Sequence, residues 1–426
     1  MSSYNVGEAK ANFSQLLRRA TRKVLFLLAA VSTLLAADSR PKVRAITAFV
    51  KLDASKWEQQ VGETVAFLNA AREEYKAAGF EVETIRVVPQ PLREYTHGMK
   101  HADALAMLKK YGELAQKLGF NPNMGAILVD GDEGHEVVDL AIDALATTHI
   151  NGSMVVAAEN GIHWRAIREA ARLVKGVETK SENGGGNLNF ATAAMIKPYT
   201  PFYPAAWHSG GGKTFAVGLE SANVVTEVFA GVHEAGPAED KLAQALTKWL
   251  LPAEAAAVRI AAKSGWTYAG IDPTPAPLGD VSIARAIENF TGAPFGAGGT
   301  MTAAGVITRA VQSTPVKQVG YAGLMVPVLE DNLLAKRWEE GTYNIDSLLA
   351  YSSVCAAGLD TVPLPGDITE EQIARILGDV ASLAYKWKKP LAARLLPAPG
   401  KHPGDRTAFS DPRMANTTVP KLPGLR

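Results

Sequence analysis

Cys355 is the one cysteine in 426 residues. A thiol nucleophile needs a neighbouring base and an electropositive setting, and His208 is a histidine that could serve it. Asp360 is a third residue of catalytic type. It lies in YSSVCAAGLDTVPLPGD, Tyr351 to Asp367, where a helical stretch runs through Cys355 into a glycine and then a turn rich in Gly, Pro and Asp. The same thiol, behind Leu348, Leu349 and Val354, also reads as a small apolar core residue. A single cysteine excludes an intramolecular disulfide framework and any zinc site built on cysteines.

A second group of residues is suited to holding ligands. The loop GIDPTPAPLGD carries Asp272 and Asp280 among prolines that restrict the chain. With Asp367, these are candidate ligands for a divalent metal or a sugar-like polyol. Asp280 is equally placed to cap the helix that follows. PYTPFYPAAWHSGGGK gathers Tyr199, Tyr203, Trp207 and His208, a composition that can line a pocket. Lys213 ends that segment as a candidate anion anchor. SGGGKT is not a phosphate loop, because Trp207 stands where the first glycine is required and a strand follows. FGAGGT places Gly298, Gly299 and Thr300 at a helix start, where backbone N–H groups could meet a ligand. It fails the dinucleotide fingerprint at Met301. His97 and His101 fall at helical spacing, without an HExxH pattern. DGDEGHE, from Asp130, sits after a strand end but has His135 where a calcium loop needs glycine.

These side chains must be carried by an α/β scaffold. From Arg44 onward, apolar runs of strand length alternate with helices. RAITAFVKL, EVETIRVV, MGAILVD and GSMVVAAE read as strands. Lys56 to Ala78, His97 to Leu118, Glu133 to Thr148 and His163 to Lys175 read as helices. Four strand–helix units in a row imply a parallel sheet or barrel. NFATAAMIKP and TFAVGLES are further strands, and Glu239 to Lys263 is a long helix. Thr369 and Gln372 form a capping box for the last helix, which Pro390 stops. The domain is expected over 38–389, followed by a proline-rich tail over 390–426 lying extended on the surface.

Hydrophobic residues are 47% of the chain and charged ones 20%, with a net charge of +1. That balance supports a sizeable core and gives no electrostatic footprint for nucleic acid. Arg18, Arg19, Arg22 and Lys23 precede VLFLLAAVSTLLAA, Val24 to Ala37. The run has the length of a signal-peptide core and is short for a membrane span. It predicts cleavage near 37 and a periplasmic or secreted protein with no membrane span; an uncleaved chain would be cytoplasmic.

Residues 1–20, through YNV and EAKANFSQLLRRA, resemble the start of Phd/YefM antitoxins. That resemblance implies a DNA-binding role, or else a wrongly assigned start. Four longer segments resemble another family: RAITAFVKLD; NFATAAMIKPYTPFYPAAWHSGGGKTFAVGLESANVV; GIDPTPAPLGDVSIARAIENFTGAPFGAGGTMTAAGVITRAVQ; and YSSVCAAGLDTVPLPGD. They are similar to domain of unknown function 711, also called uncharacterised protein family 0210. The resemblance runs from about Arg44 to about Lys389. It implies a barrel-like α/β fold akin to pyruvate formate-lyase and other glycyl radical enzymes, in which a cysteine near the centre does chemistry. No Arg-Val-x-Gly-aromatic segment is present to carry a radical, so radical chemistry is not implied here.

The expectation is an enzyme acting on a small polar substrate, with a divalent metal as its candidate cofactor. The alternative is a non-catalytic periplasmic binding protein using the same pocket. Homo-oligomerisation is left open.

Overall fold

Ten strands form one sheet among the described residues, which are 40–130, 134–355 and 357–422 of this computed structural model. The antitoxin-like stretch 1–20 and the signal-like run 21–37 lie outside the described residues. The strands are β1 (Lys42–Val50), β2 (Val82–Pro89), β3 (Asn121–Leu128), β4 (Asn151–Ala158), β5 (Gly161–Ile162), β6 (Phe190–Ala194), β7 (Thr214–Glu220), β8 (Thr267–Asp272), β9 (Ala357–Pro365) and β10 (Leu391–Ala398). Their order is β8-β7-β1-β2-β3-β4-β6-β10-β9, with β5 pairing β4. Neighbours from β1 through β4 to β6 are parallel, as are β7 with β8 and β9 with β10. The joins β1–β7 and β6–β10 are antiparallel. The fold is therefore mixed α/β on a large, mostly parallel sheet that is not closed.

The two faces of the sheet are packed differently. Ile46, Ile85, Val87, Met154 and Leu395 belong to the main core, which the helices cover. Trp57, Val61, Val65, Leu68 and Tyr75 supply one such helix face, at the spacing that puts apolar residues on one side. Strand alternation sends Ala126, Val155, Ala191, Ala193 and Ala392 into a second cluster. Phe202, Trp207, Tyr321 and Met325, from loops, pack against these small residues. Alanines on this face leave room for chain segments to cross it, and Gly218 shows the need. A Cβ there would stand 2.9 Å from the Phe202 ring.

The four strand–helix units lie close to their expected positions, with one departure among them and two further along the chain. The helix expected over His97 to Leu118 begins only at His101 and is preceded by a separate short helix, Leu92–Thr96. His97 ends the first and His101 begins the second, so the two imidazoles do not share a helix face. The expected surface tail after Pro390 begins instead with β10, an interior strand whose residues are all buried. The turn expected around Asp360 is β9, an edge strand. Pro363 and Pro365 are tolerated there because an edge strand does not need every N–H. The capping box of the last helix, Glu370–Trp387, forms with reciprocal bonds between Thr369 and Gln372. No helix among the described residues is long and apolar enough to cross a membrane.

Segment 317–329 links the ends of the sheet order. It bridges β8 at Ile271 with Gln318, and β9 at Asp360 with Pro327. Its start is held by Asp272, whose carboxylate accepts from the backbone N–H of Tyr321 at 2.8 Å and of Ala322 at 3.2 Å. Gly320, at φ 79°, makes this approach feasible, because a Cβ would collide with that carboxylate.

Candidate functional site

Arginines on the strands and loops surround a cavity of about 80 Å³ on the loop-covered face of the sheet. Arg86 comes from β2, Arg394 from β10, Arg44 from β1 and Arg413 from the C-terminal segment. Asp360 of β9 and Glu330 supply the two carboxylates. Phe202, Tyr203, Tyr321 and Met325 add apolar wall, and Asn121, Asn151 and Asn189 add amides.

The centre of the charge network is Arg394. Its Nε donates to Asp360 Oδ1 at 2.7 Å, and its Nη2 donates to Glu330. Burial works against the Arg394 charge, but Asp360 and Glu330 outweigh it and hold the guanidinium above its ordinary pKa. Burial also opposes the Glu330 charge. There Arg394, with Arg44 and Arg413 behind it, prevails and holds the carboxyl below its usual range. Asp360 goes the other way: burial raises it, and Glu330 adds repulsion that Arg394 only partly offsets. Two carboxylates on one arginine are thus driven apart in acidity, a pattern that separates a permanent anion from a group able to carry a proton.

The remaining arginines differ in their partners. Arg44 Nη1 donates to Glu220 at 2.8 Å and Glu83 at 3.0 Å. Arg413 grips Asp411 through Nε and Nη2. Arg86 has no carboxylate partner among the described residues. Its Nε donates to Thr84 Oγ1 at 3.1 Å, its Nη1 to the Pro201 carbonyl at 3.2 Å, and its Cζ lies 4.7 Å from the centre of the Tyr203 ring. Tyr203 is fixed in turn by donating to the carbonyls of Val87 and Asn121.

Of the residues singled out by type and spacing, Asp360 and Tyr203 line this cavity. Cys355 does not. It is buried in the helix-side core, and burial pushes its thiol up to about 12 against the pull of Lys389. A thiol so protonated is a packing residue at neutral pH. His208 is buried beside Phe49 and Tyr199, with Nε2 on the Val50 carbonyl and Nδ1 accepting from the Gly210 N–H. Burial lowers its pKa, so it sits there neutral with both nitrogens engaged. Cys355 and His208 therefore do not form a nucleophile–base pair at the cavity.

Asp272, Asp280 and Asp367 do not assemble. Asp272 spends its oxygens on Thr274, Tyr321 and Ala322, which makes it a clamp for the loop carrying Tyr321. Asp280 is exposed and accepts from Asn332, while Ser282 caps the helix Ile283–Thr291. Asp367 is exposed in the turn after β9. Among the described residues no group of three or more His, Cys, Asp or Glu side chains is placed to hold a metal. Trp207 is buried with Nε1 on the Ile196 carbonyl, and Lys213 is exposed. Gly298 and Gly299 are exposed in the loop before helix Thr300–Gln312. Thr300 closes that loop on itself, accepting from Gly296 and donating to Ala297.

Sequence reasoning passed over Arg86, Arg394 and Glu330. Two of them carried a readable signal. Arg394 is the one charge within the apolar strand LAARLLPA, and Arg86 falls in the apolar half, TIRVVP, of a strand whose other charge is Glu83. Arginine is almost never buried without a partner or a task. Glu330 had no such signal, because it adjoins Asp331 at a helix start where acids are common.

Residues 35–410 match the family described as Uncharacterised ACR (DUF711), and the chain belongs to it. A UPF0210 protein of Pyrobaculum arsenaticum is 29% identical over 282 residues, 63% of this chain and 62% of the relative. One of Methanopyrus kandleri is 29% identical over 318 residues, 71% of this chain and 70% of the relative. One of Streptococcus mutans is 28% identical over 352 residues, covering 78% and 77%. The match to the Pyrobaculum arsenaticum protein thus spans less than two thirds of that relative's length.

Proposed function

We propose that this DUF711 family member is an enzyme that moves a proton on a small polar substrate, with Asp360 as the acid–base residue. One observation carries the reading: a largely buried carboxyl, raised above its ordinary pKa, stands at a cavity wall and is aimed by the Nε of Arg394. A general acid or base works best when its pKa approaches the working pH, and burial moves Asp360 that way. Glu330 keeps Arg394 in place as a fixed cation. Asp272 positions Tyr321 over the same cavity through the loop it clamps.

The size of the cavity, about 80 Å³, restricts the reacting part of the substrate to a few heavy atoms. The test is a turnover screen of small hydroxy, keto and amino acids and their phosphate esters, read by mass spectrometry. Wild-type turnover that falls at least about a hundredfold in Asp360→Asn supports the assignment. Equal turnover in both proteins overturns it. Binding without turnover in wild type selects the non-catalytic binding protein.

The barrel-like reading of the fold is supported by the two single bridges of segment 317–329, at Ile271 and at Asp360. Export is supported by the basic residues before the apolar run at 24–37. N-terminal sequencing of mature protein that recovered residues ahead of 24 would rule out cleavage there.

A further inference from the structure

Arg86 is about 7% exposed and faces the cavity. Burying a guanidinium is costly unless a negative charge or a full set of hydrogen bonds replaces the water it loses. The other three arginines of the cavity each hold carboxylates: Arg394 holds Glu330 and Asp360, Arg44 holds Glu83 and Glu220, and Arg413 holds Asp411. Arg86 holds none among the described residues. Two of its nitrogens are engaged by neutral oxygens, and Nη2 makes no hydrogen bond within the described residues. Burial, with repulsion from Arg44 behind it, lowers its pKa to about 9.

Its surroundings are arranged to keep the charge and fix its direction. The Tyr203 ring supports one face of the guanidinium, and the Thr84 and Pro201 contacts hold the fork in place. Thr47 donates to the same Pro201 carbonyl at 2.8 Å, tying that loop to β1. Cation and cavity therefore exist before any ligand arrives. Of the four guanidiniums that line the cavity, Arg86 is the one without a carboxylate partner among the described residues.

We propose that Arg86 is the anchor of an oxyanion subsite, so that the substrate of this cavity carries a carboxylate or phosphate group bound against Arg86. The proposal rests on the reading of this cavity as a substrate site and names the class of molecule it takes. A planar fork with free N–H groups suits paired oxygens, and a buried one gains most from a counter-charge. The substrate is then a small acid or phosphate ester, with its anionic end at Arg86 and its reacting end toward Asp360.

The experiment is calorimetric titration of the full chain with inorganic phosphate and with malonate, against chloride at matched ionic strength. Saturable wild-type binding of either anion, weakened about tenfold or more in Arg86→Met and less in Arg86→Lys, is the expected result. Absence of saturable binding of both anions at millimolar concentration overturns the proposal, as does equal binding by wild type and Arg86→Met. A second measurement needs no variant. Phosphate or malonate should slow phenylglyoxal modification of Arg86, followed by peptide mass spectrometry, and an unchanged rate overturns the proposal. Asp360→Asn should still bind the anion. Lost or retained turnover in that variant then bears on Asp360 alone, and the two readings fail separately.

Discussion

Replacing Arg394 by leucine tests the charge network at its centre. Arg394 joins Glu330 and Asp360, and all three side chains are largely withdrawn from water. Removing one member of a buried ion pair costs about 3–5 kcal/mol, because the remaining charge has lost its compensation. Here two carboxylates are left, so the upper part of that range, about 5 kcal/mol, is expected near pH 8. The cost should depend on pH. Without Arg394, burial and mutual repulsion act unopposed, and both carboxyls should titrate above their unfolded values. Folded Arg394→Leu then takes up protons before the unfolded chain does. Its stability is greatest in acid and is lost as pH rises through the folded pKa values, by up to about 1.4 kcal/mol per pH unit for each carboxyl. Wild-type Glu330, held below its ordinary value by Arg394, behaves in the opposite sense. Its contribution is present above the unfolded pKa and lost as pH falls through the folded one. Urea denaturation near pH 5 and pH 8 reads the difference. The deficit of Arg394→Leu should at least halve at the lower pH. Adding Glu330→Leu and Asp360→Asn should recover much of the stability by removing the orphaned charges. A deficit below about 1 kcal/mol at pH 8, or one identical at both pH values, would refute the reasoning.

Three further outcomes are expected. Cys355, with its thiol raised to about 12 by burial, should resist iodoacetamide in the native protein at pH 8 and react once urea unfolds the chain; fast native labelling would contradict its burial. Asp331 accepts backbone N–H groups at the starts of two helices, from Ile283 and Ala284 and from Leu333 and Leu334. Asp331→Ala should therefore cost about 2–3 kcal/mol in urea denaturation, roughly two caps' worth, and a loss under about 0.5 would mean the caps are redundant. Glu220 is raised from 4.5 to about 7, chiefly by burial and then by Glu83. Its favourable contribution is complete below its unfolded pKa and lost as pH rises through about 7, so Glu220→Gln should flatten the stability profile over that window by up to a few kcal/mol. An unchanged profile would show that Arg44 neutralises Glu220 throughout.

Much of the scaffold was legible because strand and helix signals are local. RAITAFVKL and EVETIRVV carry apolar runs of strand length within a few residues, and the Thr369 capping box announces the last helix by itself. The reading failed where proline was taken at face value. β9 and β10 both contain prolines, yet one is an edge strand and the other is interior, a distinction set by which strands lie alongside. Site residues were less legible. Asp272 looked like a ligand because acids on proline-rich loops often are, but its partners are N–H groups near residue 321, far along the chain.

By itself, the sequence determined the alternating α/β pattern, the absence of a disulfide framework, and the family. These depend on residue types and short spacings. Only the tertiary structure decided the site. Its charged residues run from Arg44 to Arg413 and meet because the sheet sets β1, β2, β9 and β10 around the loops that cover one face. Whether a charge is a solvated side chain, a helix cap or a buried anchor depends on its dielectric surroundings and its counter-charges. For Arg86, Glu330, Asp360 and Arg394 those come from elements distant in the chain, and no local pattern encodes them.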